Sequence, residues 1–280
     1  MNTSAALEPA RSTPRPPMGV KTLIPFLGIT FGLTWGLAAL LIFFYDQIVA
    51  IFGEINSANP LFILAVYAPG IAGIFLVTWH YGLKGLGSFL RRLTLWRAPL
   101  AWWIYLIFGI PAIVYAAAAI KGTLGDPFAF SPWYLVLPAL GHALFLGPIE
   151  EFGWRGVALP LMQRKFSPFW AGLILGLIWA AWHIPAFFIS GTPQSAWSAG
   201  PYFAGIIAIS VILTPLFNAS RGSLLIAALY HLQMMNPIFP DAQPWDSVLF
   251  IIAAVIIVWL NRHRMFQKGS GVTGVLMPEN

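Results

Sequence analysis

Eight apolar runs take up most of this chain, at approximately 22–45, 60–80, 99–120, 132–162, 168–189, 201–217, 222–239 and 247–260. Roughly 20 apolar residues of helix cross the ~30 Å hydrocarbon core of a bilayer, and most of these runs are that long. Charged residues make up 9% of the chain, whereas a soluble domain needs roughly 25% to cover a water-facing surface. The expected fold is therefore all-α: a polytopic transmembrane helical bundle with about eight spans. The fourth run exceeds a simple span and carries Glu150, Glu151 and Arg155 near its end. The absence of cysteine excludes a disulfide scaffold, a Cys-ligated metal and a thiol nucleophile.

Basic residues set the orientation, because Lys and Arg are retained on the cytoplasmic side. With the N-terminus inside and eight spans, fourteen of the fifteen Lys and Arg fall on the inner side, and only Lys121 falls outside. The outer connections carry Asp46, Glu54, Asp126, Asp241 and Asp246. That segregation predicts both termini in the cytoplasm and accounts for the net charge of +6 without nucleic acid. The same basic face favours anionic headgroups of the lipid bilayer. Residues 1–17, rich in Ser, Thr and Pro, read as a disordered tail rather than a cleavable signal. A membrane domain is expected over 18–264, followed by a cytoplasmic tail at 265–280.

Ionisable side chains at membrane depth are costly, so they face a protein interior and carry a task. Here they are His142, Glu150, Glu151, Arg155, His183 and His231, with Asn236 close by. Glu150 and Glu151 point about 100° apart on a helix. Glu151 and Arg155 stand four residues apart, the spacing at which side chains of one face meet. Glu150 has no local cation, and partial desolvation strengthens a carboxylate as a base. Gly147 and Pro148 would loosen the helix just upstream. The bland alternative has both glutamates solvated at the cytoplasmic interface, with Arg155 as an anchor. His183 and His231 each lie in an apolar run shortly before a proline, Pro185 and Pro237. One such histidine reads as packing. Two of them with a carboxylate supply what a water-activating or metal-binding centre needs. His142 fits a structural hydrogen bond better. The sequon at Asn218-Ala-Ser220 lies on the predicted inner side and is discarded.

Glu150-Glu-Phe-Gly-Trp-Arg155 resembles the Glu-Glu-x-x-x-Arg signature of the CPBP (CAAX protease and bacteriocin-processing, or Abi) intramembrane proteases, which include the type II CAAX prenyl endopeptidases. Trp179-Ala-Ala-Trp-His183 resembles the family's Phe-x-x-x-His motif, with Trp in place of Phe. His231-Leu-Gln-Met-Met235 stands where the family has His-x-x-x-Asn, and Asn236 follows one residue late. The resemblance covers roughly 140–240. It implies peptide-bond hydrolysis by a glutamate-activated water: Glu150 as base, Glu151 and Arg155 shaping the site, His183 and His231 holding water or a metal and stabilising the oxyanion. It leaves open a divalent metal such as zinc on Glu150, His183 and His231, and calls for no organic cofactor. Met235 cannot donate a strong hydrogen bond, so Asn236 must swing back toward His231 if it is to replace the motif's asparagine. There is no His-Glu-x-x-His for a zinc protease, and the chain's only Gly-Asp step, Gly125-Asp126, lies in a predicted outer loop.

The expected protein is thus an endopeptidase in a bacterial plasma membrane, acting on a peptide or membrane-tethered, prenylated CAAX-type substrate. Its active site is expected between spans four, five and seven, opening toward the cytoplasm. Two other classes use the same residues: a non-catalytic scaffold or bacteriocin-immunity protein, motivated by Met235, and a proton-coupled transporter relaying through Glu150 and His183. The sequence leaves the oligomeric state open.

Overall fold

The structure, a computed structural model, describes residues 17–278, so the expected disordered tail lies outside the described residues except at its last position. Among the described residues six helices are long and apolar enough to cross a membrane. They are α1 (Val20–Phe43), α2 (Pro60–Thr94), α3 (Leu100–Lys121), α4 (Trp133–Gln163), α5 (Pro168–Phe188) and α6 (Ala199–Ala219). Two shorter apolar helices follow, α7 (Leu224–Met234) and α8 (Trp245–Leu260). No strand occurs among the described residues. The chain is an integral, multi-pass membrane protein.

Prolines and glycines set where these helices bend and stop. In α2, Gly82 adopts φ +65°, a left-handed conformation that suits glycine, and it turns the helix at the end of the expected second span. In α4 the helix opens at Gly147-Pro148-Ile149 and resumes at Glu150, where the Glu150 amide bonds the Gly147 carbonyl at 2.9 Å. Pro148 lacks an N–H and cannot continue the ladder. The seventh span, expected over 222–239, is corrected: α7 ends at Met234. Asn236 precedes Pro237, and a residue before proline is pushed out of helical geometry. At 1.5 Å per residue α7 is about 16 Å long, half of the hydrocarbon core.

Close helix contacts position the second half of α4. A methyl group on Gly73 would stand 2.9 Å from the Phe152 carbonyl oxygen, and one on Gly153 would run into the Pro69 carbonyl. Small residues let these backbones approach, as is usual for helices packed in a bilayer. Gly172 and Gly176 of α5 take Thr214 and Ser210 of α6 in the same way, and Ser210 donates to the Gly172 carbonyl at 3.0 Å.

The connections gather at two opposite ends of the bundle. At one end, buried Arg92 donates to the carbonyls of Gly222 (2.8 Å), Gly156 (2.9 Å) and Val275 (2.7 Å). Arg164 reaches the carbonyls of Met18 and Thr273 there, tying both described chain ends to one side. Residues 265–278, expected as a tail, are packed at this end, with Met265 and Val275 buried. Asn218 is engaged there as well, with Gln163 and the Val272 amide. At the other end Lys121, the lone outlier of the charge segregation, pairs with Asp241 at 2.7 Å, and Thr123 donates to the Asp241 carbonyl at 2.5 Å.

Candidate active site

The break at Gly147–Ile149 brings Glu150 and Glu151 to the first turn of the second half of α4, both buried in the bundle. α5 carries Trp179 and ends its regular turns at Trp182, next to His183, ahead of Pro185. α7 carries His231 on its last full turn. Helix interruptions therefore place each ionisable group where a run of regular helix stops.

Glu151 Oε1 accepts from two donors, Arg155 Nη1 at 3.1 Å and His231 Nδ1 at 2.8 Å. The i, i+4 pair expected from the sequence is present, with both side chains fully buried. Because a carboxylate accepts, His231 carries a proton on Nδ1; in the neutral imidazole Nε2 is then the free lone pair. That Nε2 stands 3.9 Å from Glu150 Oε1. The other Glu150 oxygen, Oε2, accepts from Trp179 Nε1 at 2.9 Å. His183 Nδ1 donates to the Trp179 carbonyl at 2.8 Å, so in the neutral imidazole its Nε2 is the free lone pair as well. The Arg155 guanidinium lies over the Trp179 ring, 4.6 Å from its centroid, and the His231 ring lies 5.6 Å from the same indole. Trp182, beside His183, is anchored by its Nε1 donating to Thr34 of α1 at 2.8 Å.

Glu150, His183 and His231 line one cavity of about 810 Å³, together with Tyr202, Met235 and Asn236. Glu151 and Arg155 stand behind it, and His142 is not among its lining residues. Asn236 donates to Gln233 Oε1 at 3.1 Å and accepts from the Ile238 amide at 3.1 Å. Those bonds fold the end of α7 into a turn and hold the amide there rather than on His231. Met235 takes the nearer position: a methyl group on Gly147 would meet both Met235 Sδ and, at 2.7 Å, His231 Nε2.

Trp179 and Tyr202 join the site although the pattern of apolar runs does not single them out. An aromatic residue inside an apolar run reads as packing, and the signal was the indole N–H, which a buried tryptophan must bond to something. The mouth of the cavity also differs from expectation. It is lined by Asn56 and Ser57, by Gly191–Gln194 and by Asp241–Gln243, which belong to the Lys121–Asp241 end. The expected opening on the basic side is corrected accordingly. As for a metal, no three His, Asp or Glu side chains among the described residues are gathered closely enough to hold one ion. Glu150 and His231 approach each other, but the bond to the Trp179 carbonyl holds His183 within an aromatic cluster with Trp182 and Tyr202. As placed, the three do not fit a metal site.

Comparison with known proteins points the same way as the motifs. The family described as "Type II CAAX prenyl endopeptidase Rce1-like" matches residues 131–236. The chain is similar to "CAAX prenyl protease 2" of Methanococcus maripaludis, with 30% identity over 153 residues, 50% of this chain and 55% of that protein. It is also similar to "Lysostaphin resistance protein A" of Staphylococcus haemolyticus, with 29% identity over 96 residues, 34% of this chain and 24% of that protein. The chain thus spans about half the length of the first relative and about a quarter of the second. The region matched by the family, 131–236, holds Glu150, Glu151, Arg155, His183 and His231, and over it the chain is similar to the Rce1-like family.

Proposed function

We propose that this chain is an intramembrane endopeptidase that hydrolyses peptide bonds of membrane-associated peptides or proteins with a water activated by Glu150. The observation that carries the reading is the 3.9 Å gap between Glu150 Oε1 and His231 Nε2 inside the cavity. The gap is too long for a direct hydrogen bond, and one water set off the line reaches both atoms with legs of about 2.8 Å. Its two hydrogens would point to the carboxylate and the imidazole, leaving an oxygen lone pair for the scissile carbonyl.

In this mechanism Glu150 takes one proton as the water oxygen bonds the carbonyl carbon. Collapse of the tetrahedral intermediate breaks the C–N bond, and Glu150 returns the proton to the leaving amine. Glu151 and Arg155 act through His231, fixing its Nδ1–H tautomer and ring direction. Tyr202 packs against His183 in the cavity wall and limits how far that ring can turn. Prenylated CAAX-type peptides are the substrate class that the relatives' names supply. The Staphylococcus relative favours a bacterial plasma membrane as the setting.

The test is cleavage of a peptide library by the purified chain, read by mass spectrometry. Glu150→Gln should lower the rate by about a hundredfold or more, the usual scale for removing a general base. Activity near that of the parent rejects the reading. A second reading, a non-catalytic resistance or immunity protein, draws on Met235 in the asparagine position and on the name of the Staphylococcus relative. It expects a protective phenotype that survives Glu150→Gln.

A further inference from the structure

α6 and α8 face two ways. One side of the pair gives Ile206, Ile209 and Phe250 to the active-site cavity. The other side encloses a separate groove of about 620 Å³, which shares no lining residue with that cavity. Its floor is made by Ala204, Ala208 and Ala254, side chains too short to fill the space between two helices. Its rim is made by Ile251, Val255 and Trp259, all exposed on the outside of the bundle. At the basic end it stops at Phe169 and Phe266, whose rings lie 4.7 Å apart, and at Arg262, the one charged residue of the lining. From Ile251 to Leu260 the wall rises about 14 Å, close to the depth of one leaflet of a ~30 Å hydrocarbon core.

The polar end of the groove is built for an anion. Arg262 Nη1 donates to the Trp259 carbonyl at 2.9 Å, and the guanidinium lies 5.1 Å from the centroid of the Trp259 ring. That bond uses one nitrogen, and the side chain is otherwise exposed. His263, Arg264 and Lys268 follow, and no carboxylate occurs between Ser247 and Pro278. Tryptophan sits at headgroup depth in membrane proteins, which sets the level of Arg262 as well. We propose that the groove binds one anionic phospholipid of the leaflet at the basic end, with an acyl chain along the alanine floor and the phosphate on Arg262. A zwitterionic headgroup would bring its own cation in among Arg262, His263 and Arg264. A transmembrane helix of a second copy would continue through both leaflets, whereas the groove ends after one. The bound chain fills the outer side of the α6–α8 contact, whose inner side forms part of the active-site wall. The proposal goes beyond the hydrolytic reading and does not depend on it.

The test titrates the delipidated full chain in detergent with phosphatidylglycerol or with phosphatidylcholine of the same acyl chains. Native mass spectrometry counts the lipids retained, and thermal denaturation follows the stabilisation that a bound ligand confers. One phosphatidylglycerol per chain is expected, held about tenfold more tightly than phosphatidylcholine, the scale of one hydrogen bond to a charged group. Arg262→Gln should bring phosphatidylglycerol down to the level of phosphatidylcholine. Val258→Trp, which fills the groove, should lower retention of both; Ala204→Phe does the same from α6 should that variant fail to fold. Arg91→Gln removes an exposed cation of the same end outside the groove and should leave the preference intact. Equal retention of the two lipids overturns the proposal, as does an equal loss in Arg91→Gln and Arg262→Gln, which would make the attraction a diffuse surface charge. Two other occupants would also overturn it: a farnesylated peptide that displaces the lipid equally well from the parent and Arg262→Gln, or a dimer that Val258→Trp dissociates with no lipid retained by the parent.

Discussion

Trp179 Nε1 donates to Glu150 Oε2 at 2.9 Å, so the carboxylate that faces His231 is held by an indole from a different helix. The same indole ring lies under Arg155, and its backbone carbonyl accepts from His183. One residue thereby touches three of the side chains on which hydrolysis would depend. The motif that this segment resembles has phenylalanine at that position, which could fill the space but has no N–H to offer.

Trp179→Phe keeps an aromatic ring and the carbonyl and removes the N–H donor together with the pyrrole part of the indole. A hydrogen bond to a charged group contributes about 1.5–3 kcal/mol, so kcat should fall about 10- to 100-fold. KM should change little, because the substrate does not need the indole N–H to bind. Steady-state kinetics on a single peptide check this; an unchanged kcat would show that Glu150 is oriented by other contacts.

Glu151 and Arg155 are both fully buried, and removing one charge strands the other. Arg155→Met alone should cost about 3–5 kcal/mol of stability, whereas Arg155→Met with Glu151→Gln should recover part of that loss. Denaturation of the purified protein in detergent measures both. A single-variant cost below about 1 kcal/mol would put this pair in the class of weak surface bridges.

Met235 and Asn236 make opposite predictions. Met235 shares the space beside Gly147 with His231 Nε2, so Met235→Asn places an amide donor next to the reacting centre. An added oxyanion donor recovers part of the 10²–10³-fold such groups supply, and a gain of about tenfold in kcat is expected. Asn236→Ala removes an amide already occupied by Gln233 and Ile238, so its effect on kcat should stay within about threefold. A large loss in Asn236→Ala, with no gain in Met235→Asn, would mean that Asn236 and not position 235 stands in for the motif's asparagine.

Because the ionisable residues of the cavity do not fit a metal site, peptide cleavage should survive prolonged dialysis against EDTA. Loss of activity on chelation, with recovery on adding zinc, would mean that His183 leaves the Trp179 carbonyl to join Glu150 and His231 around an ion.

Much of this architecture was legible in the residues, and the exceptions have identifiable causes. Apolar run length located the helices, and i, i+4 spacing located the Glu151–Arg155 pair, because both are local properties of a helix. The end of α7 was misplaced because residues 235–239 are apolar enough to extend the run, and hydropathy does not register that Pro237 stops the backbone. The bond between His231 Nδ1 and Glu151 joins residues 80 positions apart, so no local pattern encodes it. The direction of the cavity was misread for a related reason. Which end of a helix bundle stays open depends on where several helices stop together, and charge segregation alone reports orientation, not access.

The shortness of α7 has a consequence for the chemistry of the whole membrane. An ~11-residue helix that stops near the midplane leaves the far leaflet without its usual plug of side chains there. Solvent can then descend from one side while the opposite leaflet keeps its insulation. A hydrolase built this way could draw its second reactant down a blind shaft without becoming a leak for protons or ions.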